Sequence, residues 1–140
     1  MSNLYFFEDL HIGQSAALSK TITEADILMY AAVSMDTNPV HFDEEFASQT
    51  RFGGRIAHGM LSAGLISALL GTRLPGPGTV YLRQSLAFKA PVRIGDTVKA
   101  VVEITDLNPA RKNATLQTRC MVKETIVIDG EAVVLVPARG

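Results

Sequence analysis

The stretch from His58 to Leu70 (HGMLSAGLISALL) limits what this chain can become more than any other part of it. It is apolar nearly all round, so as a helix it must be covered on most sides rather than laid on a surface by one stripe. Ser62, Ala63, Gly64, Ser67 and Ala68 are small, which lets another layer come close to its backbone. The run is too short to span a bilayer. Gly71 and the segment Leu74-Pro75-Gly76-Pro77-Gly78 predict its end. Beyond that point Thr79 to Ala90, Asp96 to Leu107, Ala114 to Ile128 and Glu131 to Val136 are rich in β-formers. Turn signals at Ile94-Gly95-Asp96, Asn108-Pro109 and Asp129-Gly130 split them, and the spacing predicts an antiparallel meander. One buried helix followed by a run of strands predicts an α+β fold with the sheet covering that helix.

Upstream, Gln14 to Ile22 alternate loosely and read as a first strand. Thr23 stands as a helix N-cap with Asp26 three residues on, an imperfect capping box. Ile27, Tyr30, Ala31 and Ser34 then mark the inner face of an amphipathic helix that ends near Met35. Asp43-Glu44-Glu45-Phe46-Ala47 starts a short second helix. No repeat or linker interrupts the 140 residues, which predicts one domain over 1–140. The net charge of −1 without a basic block gives no footprint for nucleic acid. Cys120 is alone, so no internal disulfide is expected. The N-terminus, Met1 to Asp9, lacks a basic n-region and carries acids where a signal peptide is apolar. A soluble cytoplasmic protein with no membrane segment is the expectation.

Chemistry concentrates in two places. Asp36-Thr37-Asn38-Pro39-Val40-His41 sets a carboxylate and an imidazole five residues apart. On an unbroken helix they would point about 140° apart around the axis. Pro39 breaks the helix and pushes Asn38 out of the helical region, so the segment turns, and a turn can bring Asp36 and His41 to one point. Arg55-Ile56-Ala57-His58-Gly59-Met60 puts Gly59 at a helix start, where free N–H groups favour developing negative charge. Base, acid and oxyanion donor are the parts needed for water chemistry beside a carbonyl. Each residue also has a plainer reading. Asp36, Asn38 and His41 are ordinary turn residues, Gly59 a helix-start glycine, and His58 either caps the helix or lines the site. A metal held by His41, Asp43 and His58 is not expected, because no HxxxH, HxH or cysteine pair supports it. Ser34, Ser62, Ser67 and Cys120 lack a nucleophile motif, and Gly53-Gly54 lacks a phosphate-loop pattern.

Tyr30-Ala-Ala-Val-Ser-Met-Asp36-Thr-Asn38-Pro39-Val-His41 with Ala47 resembles the signature of the MaoC-like, (R)-specific enoyl-CoA hydratases, the hydratase 2 family. Ile56-Ala-His58-Gly59-Met60 and the segment Leu82 to Asp96 are similar too, so the resemblance covers about Thr23 to Val136. It implies a hot-dog fold, a long central helix wrapped by a curved antiparallel sheet, dimerising through sheet edges. It implies hydration of a trans-2-enoyl-CoA to the (R)-3-hydroxyacyl-CoA, with no cofactor beyond the coenzyme A thioester itself. Asp36 and His41 would be the dyad that holds and activates one water, Gly59 N–H would polarise the thioester carbonyl, and Asn38 would support the dyad. His58 would line the substrate site, and Ser67, Leu70 and Val133 would line the acyl pocket. The family usually has Gly before the reactive Asp. Met35 stands there instead, a residue that tolerates positive φ poorly and whose bulk would shorten the acyl pocket. Two other readings stand beside hydration: dehydration of a 3-hydroxyacyl thioester on CoA or acyl carrier protein, and a non-catalytic acyl-thioester-binding module.

Overall fold

The computed structural model describes residues 5–140, so the first four residues of the N-terminal stretch considered for a signal peptide lie outside the described residues. In chain order the elements are β1 (Ser15–Thr21), α1 (Glu24–Ser34), α2 (Glu44–Ser48), α3 (Gly59–Thr72), β2 (Val80–Gln84), β3 (Ala87–Phe88), β4 (Thr97–Asn108), β5 (Asn113–Val122) and β6 (Thr125–Leu135). Along β4 the side chains of Val98, Ala100, Val102 and Ile104 are buried while their neighbours are more open, the period-two pattern of a sheet with one covered face. Ala114, Leu116, Thr118 and Cys120 repeat it on β5. Ile66, Leu69 and Leu70 of α3 join the same core. The sheet has six strands in the order β1-β4-β5-β6-β2, all antiparallel, with β3 also on β6. A long helix packed on a curved antiparallel sheet is the expected α+β hot-dog arrangement. No helix of the described residues is long and apolar enough to cross a membrane.

The start of α1 follows the capping box read from the sequence. Thr23 Oγ1 accepts from Asp26 N at 3.2 Å and Asp26 Oδ2 accepts from Thr23 N at 2.9 Å, worth about 1 kcal/mol to the helix.

Four features differ from the sequence expectation. Gly71 does not end α3, which runs on to Thr72 before Leu74-Pro75 stops it. The helix is covered by this chain on one face only, since Met60, Gly64 and Ser67 are exposed. The segment Thr79 to Ala90 is two strands, interrupted at Ser85-Leu86. Asp129-Gly130 is not a turn but lies inside β6, and the chain reverses instead at Lys123-Glu124, with Lys123 at φ +54°. Gly130 is there for a close approach. A Cβ on it would lie 1.9 Å from the Ser85 carbonyl oxygen, where the β2–β3 connection crosses. Glycine inside a strand marks such a crossing as readily as a turn.

Candidate active site

Helix α1 closes on Met35, which takes the left-handed conformation at φ +66° and donates its N–H to Ala31 O at 2.8 Å. Holding a non-glycine residue there costs about 1 kcal/mol. The side chain is 85% exposed and lines neither the cleft nor the groove described below, so within one chain it does not shorten a pocket.

From Met35 the chain turns through Asp36 to a 3-10 turn at Pro39–His41. The bonds along it are short-range. Asp36 N donates to Ser34 Oγ at 3.1 Å, Asn38 N to Asp36 Oδ1 at 3.2 Å, and Val40 N to Asn38 Oδ1 at 3.1 Å. Asn38 thus braces the bend. His41 is buried, and its Nδ1 lies 2.8 Å from the Ile56 carbonyl oxygen. A carbonyl can only accept, so Nδ1 carries the hydrogen and Nε2 of the neutral ring keeps a free lone pair. Burial pushes the His41 pKa below the ordinary imidazole value. The bond to Ile56 and the Asp36 carboxylate oppose that shift, and the neighbouring His58 adds to it. Arg55 fixes the turn from the other side, with Nε donating to His41 O at 2.7 Å and its terminal nitrogen to both Glu24 carboxylate oxygens.

His58 stands at the N-cap position of α3 but makes no side-chain bond to the helix, and its side chain lines the cleft described below. Its ring stacks on that of His41 with centroids 3.8 Å apart, and its Nε2 lies 3.0 Å from the Asp36 carbonyl oxygen. One carboxylate oxygen of Asp36 and one ring nitrogen from each histidine all lie within 4.8 Å of one another. Two hydrogen bonds of about 2.8 Å meeting at one oxygen span such a gap, so a water fits between the groups. A cation suits them less. An imidazole binds a metal in its own plane, and two stacked rings aim their nitrogens side by side rather than at one point. Asp43, the third ligand considered from sequence, instead caps α2 by accepting from Phe46 N at 3.1 Å.

The cleft over these groups holds about 230 Å³ and is lined by Asp36, His41, His58, Gly59, Met60 and Phe88. Gly59 opens α3, where a helix leaves N–H groups without internal acceptors. A side chain at this position would require the Phe88 ring to move. A Cβ on Gly59 would come within 2.6 Å of the Phe88 ring, which lies directly over the helix start.

The acyl-pocket residues suggested by resemblance are spread out. Ser67 lines an open groove of about 470 Å³ between α3 and β2, which shares Met60 with the cleft. Leu70 is in the core and Val133 is half-buried on β6 opposite Thr115 and Arg83. The Ile56 carbonyl, Tyr30 and Phe88 also stand at the site, which the sequence alone does not reveal. A backbone oxygen carries no side-chain signal, and Tyr30 shows the spacing of an ordinary core residue.

A family model described as MaoC like domain matches residues 10–131. The (R)-specific enoyl-CoA hydratase of Rhodospirillum rubrum is 62% identical over 98% of this chain and 95% of its own length. The 3-hydroxybutyryl-CoA dehydratase of Methylorubrum extorquens is 52% identical over 96% of this chain and 85% of its own. The solved (R)-hydratase of Aeromonas caviae involved in PHA biosynthesis superposes with a TM-score of 0.89 at 48% identity, covering 93% of this chain and 99% of that one. With most of its length matched by the family model and by relatives of this identity, the chain belongs to the MaoC-like domain family.

Proposed function

We infer that this protein is a hydro-lyase that adds water to a trans-2-enoyl-CoA, giving the (R)-3-hydroxyacyl-CoA. The observation that carries the reading is the meeting of the Asp36 carboxylate and a His41 ring nitrogen within 4.8 Å, over a cleft that Gly59 lines at the head of α3. The thioester carbonyl accepts from Gly59 N–H, which draws charge toward the oxygen and makes the β-carbon electrophilic. One water donates to the Asp36 carboxylate and to His41 Nε2. As its oxygen bonds to the β-carbon, its proton passes to this pair, and the pair supplies a proton to the α-carbon. The balance is one water consumed, with no electron transferred, so the step calls for no redox cofactor. Asn38 supports the dyad through the bend, and Ser67, on the groove that shares Met60 with the cleft, bounds the acyl chain. The names of the 62% and 52% identical relatives, which specify CoA substrates and both directions of the reaction, support this reading over one confined to acyl carrier protein, the carrier named for relatives only 36% and 35% identical.

The test is loss of enoyl-thioester absorbance when crotonyl-CoA meets the purified protein, with chiral analysis of the product. An (R)-3-hydroxybutyryl product supports the reading. Unchanged absorbance together with tight acyl-CoA binding favours the non-catalytic module instead.

The same proposal includes a single catalytic domain acting as a cytoplasmic homodimer. Strand β2 ends the sheet, and Val80, Tyr81 and Leu82 on it are 50%, 40% and 46% exposed. The groove between β2 and α3 is lined by Tyr81, Leu82 and Leu86 together with Met60, an unusual outer surface for a single chain. Light scattering should give twice the 15.1 kDa chain mass, and Leu82→Lys should shift the protein toward one chain. A wild-type mass of one chain at micromolar concentration rules the dimer out.

A further inference from the structure

His58 is buried beside the proposed dyad, yet the addition of water leaves it without a task. Its residue is 2% exposed. Three rings set its plane: His41 at 3.8 Å, Tyr30 of α1 at 4.7 Å and Phe42 at 5.8 Å between centroids. Its Nε2 meets the Asp36 carbonyl oxygen at 3.0 Å, and since that oxygen only accepts, Nε2 carries the hydrogen. Nδ1 is then an acceptor, buried and unpartnered among the described residues.

The loop that presents Asp36 has little else to hold it. Met35 N bonds back to Ala31, Asp36 N to Ser34, and Asn38 N to the Asp36 side chain, all within a few residues. Asp36 and Thr37 are exposed. Among the described residues, the bond from His58 is the hydrogen bond that ties residues 35–37 to a distant part of the chain. The same ring backs His41. One side chain, standing at the head of α3, thereby touches both members of the dyad and neighbours the glycine that receives the carbonyl.

We propose that His58 is a positioning residue: it fixes the Asp36 carboxylate against the His41 imidazole by donating Nε2–H to the Asp36 carbonyl while its ring supports the His41 ring. The proposal rests on the hydration reading above. It assigns the two halves of the side chain different duties, and the donor half sets the rate. A displacement of about 1 Å in a reacting group is enough to cost about 100-fold.

Two replacements separate the halves. His58→Gln puts an amide N–H where Nε2 stood but removes the ring. His58→Phe keeps a ring for the stack but has no donor. Both are assayed on crotonyl-CoA beside the wild type and His58→Ala, with thermal melting to confirm folding. His58→Gln is expected to keep kcat within about tenfold, while His58→Phe and His58→Ala lose about 100-fold in kcat with KM inside about threefold. A side chain that merely filled space would give the reverse order, with Phe near wild type and Gln impaired. That order overturns the proposal, as does wild-type kcat in all three variants. Absence of turnover in the wild type is a different result, because it removes the hydration reading itself and the positioning proposal with it.

Discussion

Asp36→Asn is expected to lower kcat for crotonyl-CoA hydration by about 1,000-fold while the protein stays folded. The replacement keeps the shape of the side chain, and its carbonyl oxygen still accepts the Asn38 N–H that Asp36 Oδ1 accepts at 3.2 Å. The His58 bond goes to the backbone of this residue and is untouched. What disappears is the negative charge and the ability to take a proton from water. Because Asp36 is exposed and makes no ion pair among the described residues, little of its removal registers as lost stability. The measurement is kcat and KM on crotonyl-CoA together with a melting curve. A loss of less than tenfold in a folded variant would remove Asp36 from the chemistry and leave the thioester-binding module as the better reading.

His41→Asn tests the other half of the dyad with a comparable expected loss, about 100-fold or more in kcat. Asn is chosen because its amide nitrogen stands where Nδ1 stood and still donates to the Ile56 carbonyl, the bond made at 2.8 Å in the wild type. The turn is kept and Nε2 is lost. The wild type also has a pH signature. Burial holds the His41 pKa below the ordinary value of 6.5, so the neutral working form persists in the folded protein at pH 6.5 and below, and the acid limb of kcat lies lower than for a free imidazole. Stability follows the same shift. Between the lowered folded value and 6.5 the unfolded chain binds more protons than the folded one, so acid favours unfolding. This contribution is complete above 6.5 and is lost as pH falls through the folded value. The melting temperature of the wild type should therefore drop across that window more steeply than that of His41→Asn. Parallel melting profiles would show that His41 does not titrate as its burial requires.

The covalent spacing of Asp36 and His41 is legible in the sequence. Asn38-Pro39 forces a bend, and a bend of that length can bring residues 36 and 41 together, which an unbroken helix cannot. The capping box at Thr23 and Asp26 was legible for the same reason, since both partners are local. Glycine was harder to read. Gly130 and Gly71 look like breaks in sequence, but one admits a crossing backbone and the other is carried through by the core contacts of α3. The role of His58 was not legible, because its partner is the backbone oxygen of Asp36 and its stacking depends on where α1 and α3 meet. The uneven cover of α3 was also hidden. An apolar helix says that something lies against each face, not that a single chain supplies it.

The Ile56 carbonyl that pins Nδ1 of His41 has a stereochemical consequence. With one ring nitrogen occupied, the imidazole can exchange protons with a bound enoyl chain through a single atom, and the carboxylate of Asp36 stands on that same flank of the cleft. On this reading the hydroxyl and the new hydrogen are delivered to one side of the former double bond. In deuterium oxide the alcohol would then emerge labelled as one diastereomer rather than as a mixture.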